Sequence, residues 1–171
     1  DIICFDNPGT SSVFKGENLK DTARIICNYS DIIVIRHPYE GAALAASLYA
    51  NKPVINAGDG GHLHPTQTLT DLMTIRSEKG TLEDLNIGVC GDLKHGRTVH
   101  SLLKAMSLFK GNRFYLISTM TLKTPKYITD IIKQSGNEYC EIKSLDDCID
   151  KLDVLYMTRI QKERFPSERE Y

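Results

Sequence analysis

Apolar residues follow two alternating rhythms along this chain. Short runs dense in aliphatic and β-branched residues read as strands: DIICF at 1–5, DIIVIR at 31–36, PVINA at 53–57, LNIGVCG at 85–91, RFYLIS at 113–118, EYCEI at 138–142 and DVLYMT at 153–158. Between them lie stretches with helical spacing. One helix is predicted over about residues 17–29 and a small-residue helix over EGAALAASLYA, 40–50. Val99, Leu102, Leu103 and Met106 recur at i, i+3, i+4 and i+7, one face of a helix. Tyr127, Ile128, Ile131 and Ile132 make a second face, opened by Pro125 and closed by Gly136. Ser144 and Asp147 have capping-box spacing, with Asp in the Glu position.

Strands alternating with helices predict an α/β fold with parallel sheet. One helix stands apart. It is predicted over Pro65 to Lys79, with Pro in the first turn and Gly80 after its end, and a fresh strand–loop–helix unit begins near Thr81. This reads as a bridge. The expected architecture is two lobes, each a parallel β-sheet flanked by helices, joined by an interdomain helix: residues 1–64, 65–80 and 81–171.

Composition narrows the class. The chain has 171 residues, 41% hydrophobic and 25% charged, with formal net charge −1. That is ordinary for a soluble domain and gives no general electrostatic reason to bind nucleic acid or an acidic membrane. No uncharged apolar run approaches the ~20 residues of a membrane-spanning helix. The five cysteines (Cys4, Cys27, Cys90, Cys140 and Cys148) form no CxxC pair and no zinc-ligand spacing, so reduced, packed thiols of a cytoplasmic protein are expected. A start without Met inside a strand-like run, and an end just past a polar loop, lead us to expect that both ends continue in a longer chain.

In open α/β sheets, ligands sit beyond the carboxyl ends of strands. Four polar clusters lie there. Arg36 and His37 follow DIIVI, where a guanidinium fork suits phosphate or a carbonyl oxygen; the plain alternative is a surface arginine. His64, Thr66 and Gln67 follow PVINAG at a helix N-terminus, which favours anions and developing negative charge. Helix capping is the alternative there, and a metal held by His62 and His64 lacks a third ligand. GVCGDLKHGRTVHSLL is a strand–turn–helix without the G-x-G-x-x-G fingerprint, and Arg97 stands where a phosphate-loop lysine would. Lys94 and Arg97 fit a small carboxylate, or belong to a plain surface turn. Arg159 and Gln161 follow DVLYM, in a functional cluster or in a solvated loop.

Together, RHPYEGAA, NAGDGGHLHPTQTLTDL, GDLKHGRTVHSL and YMTRIQKER resemble the catalytic chain of the aspartate carbamoyltransferase family, in the same order and across essentially the whole sequence. The resemblance implies carbamoyl transfer from carbamoyl phosphate to the amine of L-aspartate, giving N-carbamoyl-L-aspartate and phosphate, in pyrimidine biosynthesis. It makes 1–64 part of a carbamoyl-phosphate domain and 81–171 part of an aspartate domain. It implies a homotrimer of catalytic chains with shared active sites, leaves regulatory subunits open, and calls for no metal or cofactor.

The family motifs assign Arg36 and His64 to carbamoyl phosphate, with His64 donating to its carbonyl oxygen, and Gln67 to its carbamoyl nitrogen end. They assign Arg97, Arg159 and Gln161 to the aspartate carboxylates, with Lys94 and Thr98 in support. Ser11 and Lys15, in PGTSSVFKGE, match a mobile loop that reaches a neighbour's site; the family often has a lysine where this chain has Phe14. A Ser-Thr-Arg-Thr phosphate motif and a His-Pro-Leu-Pro loop, usual in the family, are expected in the flanks. The 171 residues alone are therefore expected to be inactive. An ornithine carbamoyltransferase-like enzyme and a non-catalytic relative of the fold are the competing readings. A nucleotide-binding oxidoreductase is disfavoured by the absent glycine fingerprint.

Overall fold

The computed structural model describes residues 1–4, 15–60 and 63–159. The chain divides into two compact units, Asp1–Thr66 and Gln67–Tyr171.

The first unit is a β-α-β turn preceded by a helix. Helix α1 (Leu19–Ile26) starts where the Asn18 side chain accepts the Asp21 N–H at 3.0 Å, and it buries Ala23. Strand β1 (Ile33–His37) runs parallel to β2 (Val54–Asp59), in register from Ile33↔Val54 to Ile35↔Asn56. Helix α2 (Ala42–Ser47) connects them and buries Ala42, Ala43 and Ala46, whose small side chains let its backbone approach β2 closely. Gly41, left-handed at φ 76°, starts α2 two residues later than its alanine-rich pattern suggests.

The expected DIICF strand is absent over residues 1–4, where Ile2 is 95% exposed. Strand propensity records how well a residue suits a packed pleat; it supplies no partner ladder.

The second unit begins within α3 (Pro65–Lys79) and holds four parallel strands in the order β5-β4-β3-β6: β3 (Asn86–Cys90), β4 (Arg113–Ile117), β5 (Glu138–Ile142) and β6 (Val154–Met157). Helices α4 (Arg97–Met106) and α5 (Lys126–Gln134) close one face. Alternation along β4 sorts the core. Phe114 and Leu116 pack with Ile87 and Val89 against Val99, Leu102, Leu103 and Met106 of α4 and Ile128 and Ile132 of α5. Tyr115 and Ile117 face the other way, toward Cys148 and Leu152. Both faces of β4 are covered, as parallel sheets require.

Ser144 does cap, but it caps a short 3-10 turn (Leu145–Asp147), accepting from Asp146 N at 3.4 Å. Cys27 and Cys148 are buried and Cys90 and Cys140 half-buried, whereas Cys4 is exposed. Burial pushes the thiols of Cys90, Cys140 and Cys148 above the ordinary range, which makes them packing groups rather than nucleophiles. Among the described residues, no helix is long and apolar enough to cross a membrane.

Strand order reverses at β3. The chain passes from β3 to β4 to β5, then returns to pair β6 on the other side of β3. A crevice at such a reversal, beyond the carboxyl ends, is where doubly wound sheets bind ligands. The loops leaving β3 and β6 flank it, and they carry Lys94, Arg97 and Arg159.

Candidate active site

In the first unit, Arg36 and His64 both belong to the carboxyl ends of the paired strands. Register shifts between Ile35↔Asn56 and His37↔Asp59, so two β2 residues, Ala57 and Gly58, stand opposite Arg36. A bulge of this kind twists the strand and re-aims its side chains. Arg36 is exposed there. Next to it, His37 Nδ1 accepts the Tyr39 N–H at 3.1 Å, which commits His37 to the local turn.

His64 is held by what precedes it. Asp59 is 2% exposed, and its carboxylate accepts the Gly41 N–H at 2.8 Å and the Leu63 N–H at 3.1 Å. Asp59 N donates in turn to Leu63 O at 3.2 Å, closing a short antiparallel bridge. The chain leaves that clamp into His64, whose ring lies over Gly58: a Cβ there would sit 3.4 Å from His64 Cδ2, and φ is already +120°. Nδ1 of His64 lies 3.3 Å from the Thr66 hydroxyl. With that hydroxyl as donor, the ring proton resides on Nε2.

The second unit repeats the device. Gly91 has φ +121° and is followed by Asp92, which is fully buried; its Oδ1 accepts the N–H groups of Lys94 at 3.2 Å and His95 at 2.9 Å. A Cβ on Gly91 would lie 2.6 Å from Thr158 O, so glycine lets the exit of β6 pass against that of β3. This brings the loop of Lys94 and Arg97 beside the segment that leads into Arg159. Lys94 and Arg159 are exposed, and Arg97 and Thr98 are half-buried at the start of α4.

His100, inside the GRTVHS stretch, has a structural task. Its Nε2 donates to Leu93 O at 2.8 Å, so Nδ1 must accept, and the Tyr127 hydroxyl supplies that bond at 3.0 Å. Burial, foremost, lowers its pKa and keeps it neutral.

Gln67 lies in the first turn of α3, and its Nε2 donates to Asp71 Oδ1 at 2.8 Å. Lys15 is exposed ahead of α1. Ser11, Gln161 and His62 lie outside the described residues. Sequence reasoning missed Asp59, Asp71 and Asp92. A signal existed for two of them: a Gly-Asp pair directly follows an apolar strand in both NAGD and VCGD.

Known proteins share this sequence and fold. The family model described as "Aspartate/ornithine carbamoyltransferase, carbamoyl-P binding domain" matches residues 1–77, and "Aspartate/ornithine carbamoyltransferase, Asp/Orn binding domain" matches residues 83–171. An aspartate carbamoyltransferase catalytic subunit from Clostridium botulinum is 57% identical over 171 residues, 99% of this chain and 56% of that protein. One from Clostridium kluyveri is 56% identical over 170 residues, with the same shares covered. The chain thus spans about half the length of these curated relatives. Among solved structures, the catalytic subunit of M. jannaschii aspartate transcarbamoylase superposes with TM-score 0.90 at 54% identity, covering 96% of this chain and 54% of its own. The Trypanosoma cruzi aspartate transcarbamoylase in complex with N-(phosphonacetyl)-L-aspartic acid gives 0.86 at 41%, covering 95% and 52%. Matched by family models along nearly its whole length, this chain belongs to the aspartate/ornithine carbamoyltransferase family.

Proposed function

We propose that the full-length protein containing this chain transfers the carbamoyl group of carbamoyl phosphate to the amine of L-aspartate. The observation that carries this reading is 57% identity, across the whole chain, to a protein named as an aspartate carbamoyltransferase catalytic subunit. Residues 1–64 then serve carbamoyl phosphate, 65–80 form the interdomain helix, and 81–171 serve aspartate.

The chemistry needs no enzyme nucleophile. The aspartate amine attacks the carbamoyl carbon, a C–N bond forms, and negative charge builds on the carbonyl oxygen. Arg36 and His64 Nε2–H donate to that oxygen; one such donor contributes about 2.7–4 kcal/mol in comparable sites. The C–O bond to phosphate then breaks, the electron pair leaves on phosphate, and phosphate takes the amine proton. Gln67 holds the carbamoyl nitrogen. Arg97, Arg159 and Gln161 hold the aspartate carboxylates, supported by Lys94 and Thr98, while Ser11 and Lys15 come from the loop of a neighbouring subunit. Holding two charged reactants in line contributes up to about 7–11 kcal/mol. The reaction calls on neither metal nor organic cofactor.

The cations around the second-unit loops favour a dicarboxylate over ornithine, whose side chain is itself a cation. The working form is a cytoplasmic homotrimer with shared active sites, acting in pyrimidine biosynthesis. Calorimetric titration of the full-length protein with N-(phosphonacetyl)-L-aspartate tests the reading. Tight binding that Arg159→Ala weakens is expected. No binding would favour a non-catalytic relative.

A further inference from the structure

Asp71 is a carboxylate near the second unit's helix–sheet junction that the proposed reaction leaves without a task. One oxygen accepts from Gln67 Nε2 at 2.8 Å. The other, Oδ2, is sealed from solvent. The Tyr156 hydroxyl of β6 pairs with this carboxylate: burial, foremost, then the charge of Asp71 and its hydrogen bond with Tyr156 raise the Tyr156 pKa, while a hydrogen bond from Thr98 opposes them. Asp71 of α3 thus meets Tyr156 of β6, which Thr98 of α4 also contacts. A Gln–Asp pair on an open helix face would be a minor surface feature. Here the carboxylate is buried and held on its far side by Tyr156, and a carboxylate fixed in this way asks for a reason.

Chemistry supplies one. A carboxylate only accepts, whereas a carboxamide has a donating end and an accepting end. With Nε2 turned to Asp71, the Gln67 amide has one allowed face, and Oε1 points to the opposite side. We propose that Asp71 is a positioning residue that locks the Gln67 carboxamide with its oxygen toward the substrate, so that the site selects an acyl group bearing N–H donors. This rests on the reading that Gln67 meets the carbamoyl nitrogen. A carbamoyl NH2 donates to Oε1; the methyl of acetyl phosphate, similar in size, cannot. A site built around such a bond rejects the analogue lacking it because its own polar group is left unpaired.

The test compares kcat/KM for carbamoyl phosphate and acetyl phosphate in the full-length protein and its Asp71→Asn, Gln67→Ala and doubly substituted variants. Asparagine nearly preserves shape but can pair with either end of the Gln67 amide. Asp71→Asn is expected to reduce the preference for carbamoyl over acetyl phosphate about tenfold or more, and to have no further effect once Gln67 is alanine. An unchanged preference in Asp71→Asn, with a collapsed preference in Gln67→Ala, overturns the positioning role and leaves Gln67 in place. An unchanged preference in Gln67→Ala overturns the role of Gln67 itself, and the Asp71 proposal with it. An equal loss from Asp71→Asn in both backgrounds means a merely structural carboxylate. Should Asp71→Asn not fold, the side-chain 15N–1H resonance of Gln67 in the unsubstituted protein decides. It is expected away from the position of a free glutamine amide, and a free-amide position overturns the proposal.

Discussion

Replacing Asp59 with alanine removes the clamp from which His64 emerges. The carboxylate is 2% exposed and accepts two backbone N–H groups, Gly41 at 2.8 Å and Leu63 at 3.1 Å. Hydrogen bonds to charged groups contribute about 1.5–3 kcal/mol each, so their joint loss has an upper range of about 3–6 kcal/mol. Water entering the vacated space restores part of it, and a destabilisation of about 3 kcal/mol is expected. The catalytic consequence is separate. Leu63 immediately precedes His64, whose ring rests over Gly58, so releasing the Asp59–Leu63 bridge lets the imidazole wander. Misplacing one oxyanion donor typically costs about 10²–10³ in kcat. Urea denaturation of full-length Asp59→Ala should show a lowered midpoint, and steady-state kinetics a kcat reduced by about 100-fold. In a His64→Ala background the same substitution should still destabilise but add little to the kinetic defect. A full additional loss of kcat there would refute the link between Asp59 and His64. An unchanged denaturation midpoint would refute the clamp itself.

Three further substitutions probe the second unit. Asn112 is 1% exposed; its side chain accepts Leu85 N–H at 3.0 Å and donates to Leu82 O at 2.9 Å, so Asn112→Leu strands both backbone groups. A loss of about 3 kcal/mol is expected by chemical denaturation. Gly91→Ala forces a Cβ against Thr158 O at a φ of +121°, and should destabilise by about 1–3 kcal/mol while raising the aspartate KM through the displaced Arg159 segment. His100 is a basic group whose folded pKa lies below its ordinary 6.5. Protons therefore bind the unfolded chain first, and its contribution to stability is whole above about pH 6.5 and is lost as pH falls toward the folded pKa. Denaturation midpoints measured from pH 7.5 to pH 5 should fall less steeply in His100→Gln than in the parent; parallel curves would remove His100 from this role.

Local patterns were legible where punctuation and periodicity coincide. Helix α3 runs from Pro65 to Lys79 as expected because Pro suits a first turn and Gly80, at φ 73°, ends it. Val99, Leu102, Leu103 and Met106 are all fully buried, as their spacing demands. Helix α5 sits between Pro125 and Gly136, although Tyr127 is half exposed, with its hydroxyl bonded to His100. The strand order β5-β4-β3-β6 was not legible, because it depends on which distant strands meet. Nor were the buried carboxylates. Asp59 and Asp92 look like polar loop residues until their backbone partners, folded onto them by the preceding glycines, come into view. Asp71 reads as one charge on a helix, and only the approach of Tyr156 from β6 sets it apart.

Carbamoyl transfer to aspartate is tested most directly by incubating the purified full-length protein with carbamoyl phosphate and either L-aspartate or L-ornithine, and quantifying the ureido product. N-carbamoyl-L-aspartate should accumulate, its formation should fall sharply in Arg159→Ala, and ornithine should yield no citrulline. Citrulline formation, or no ureido product from either amine, would contradict the assignment of Arg97 and Arg159 to a dicarboxylate acceptor.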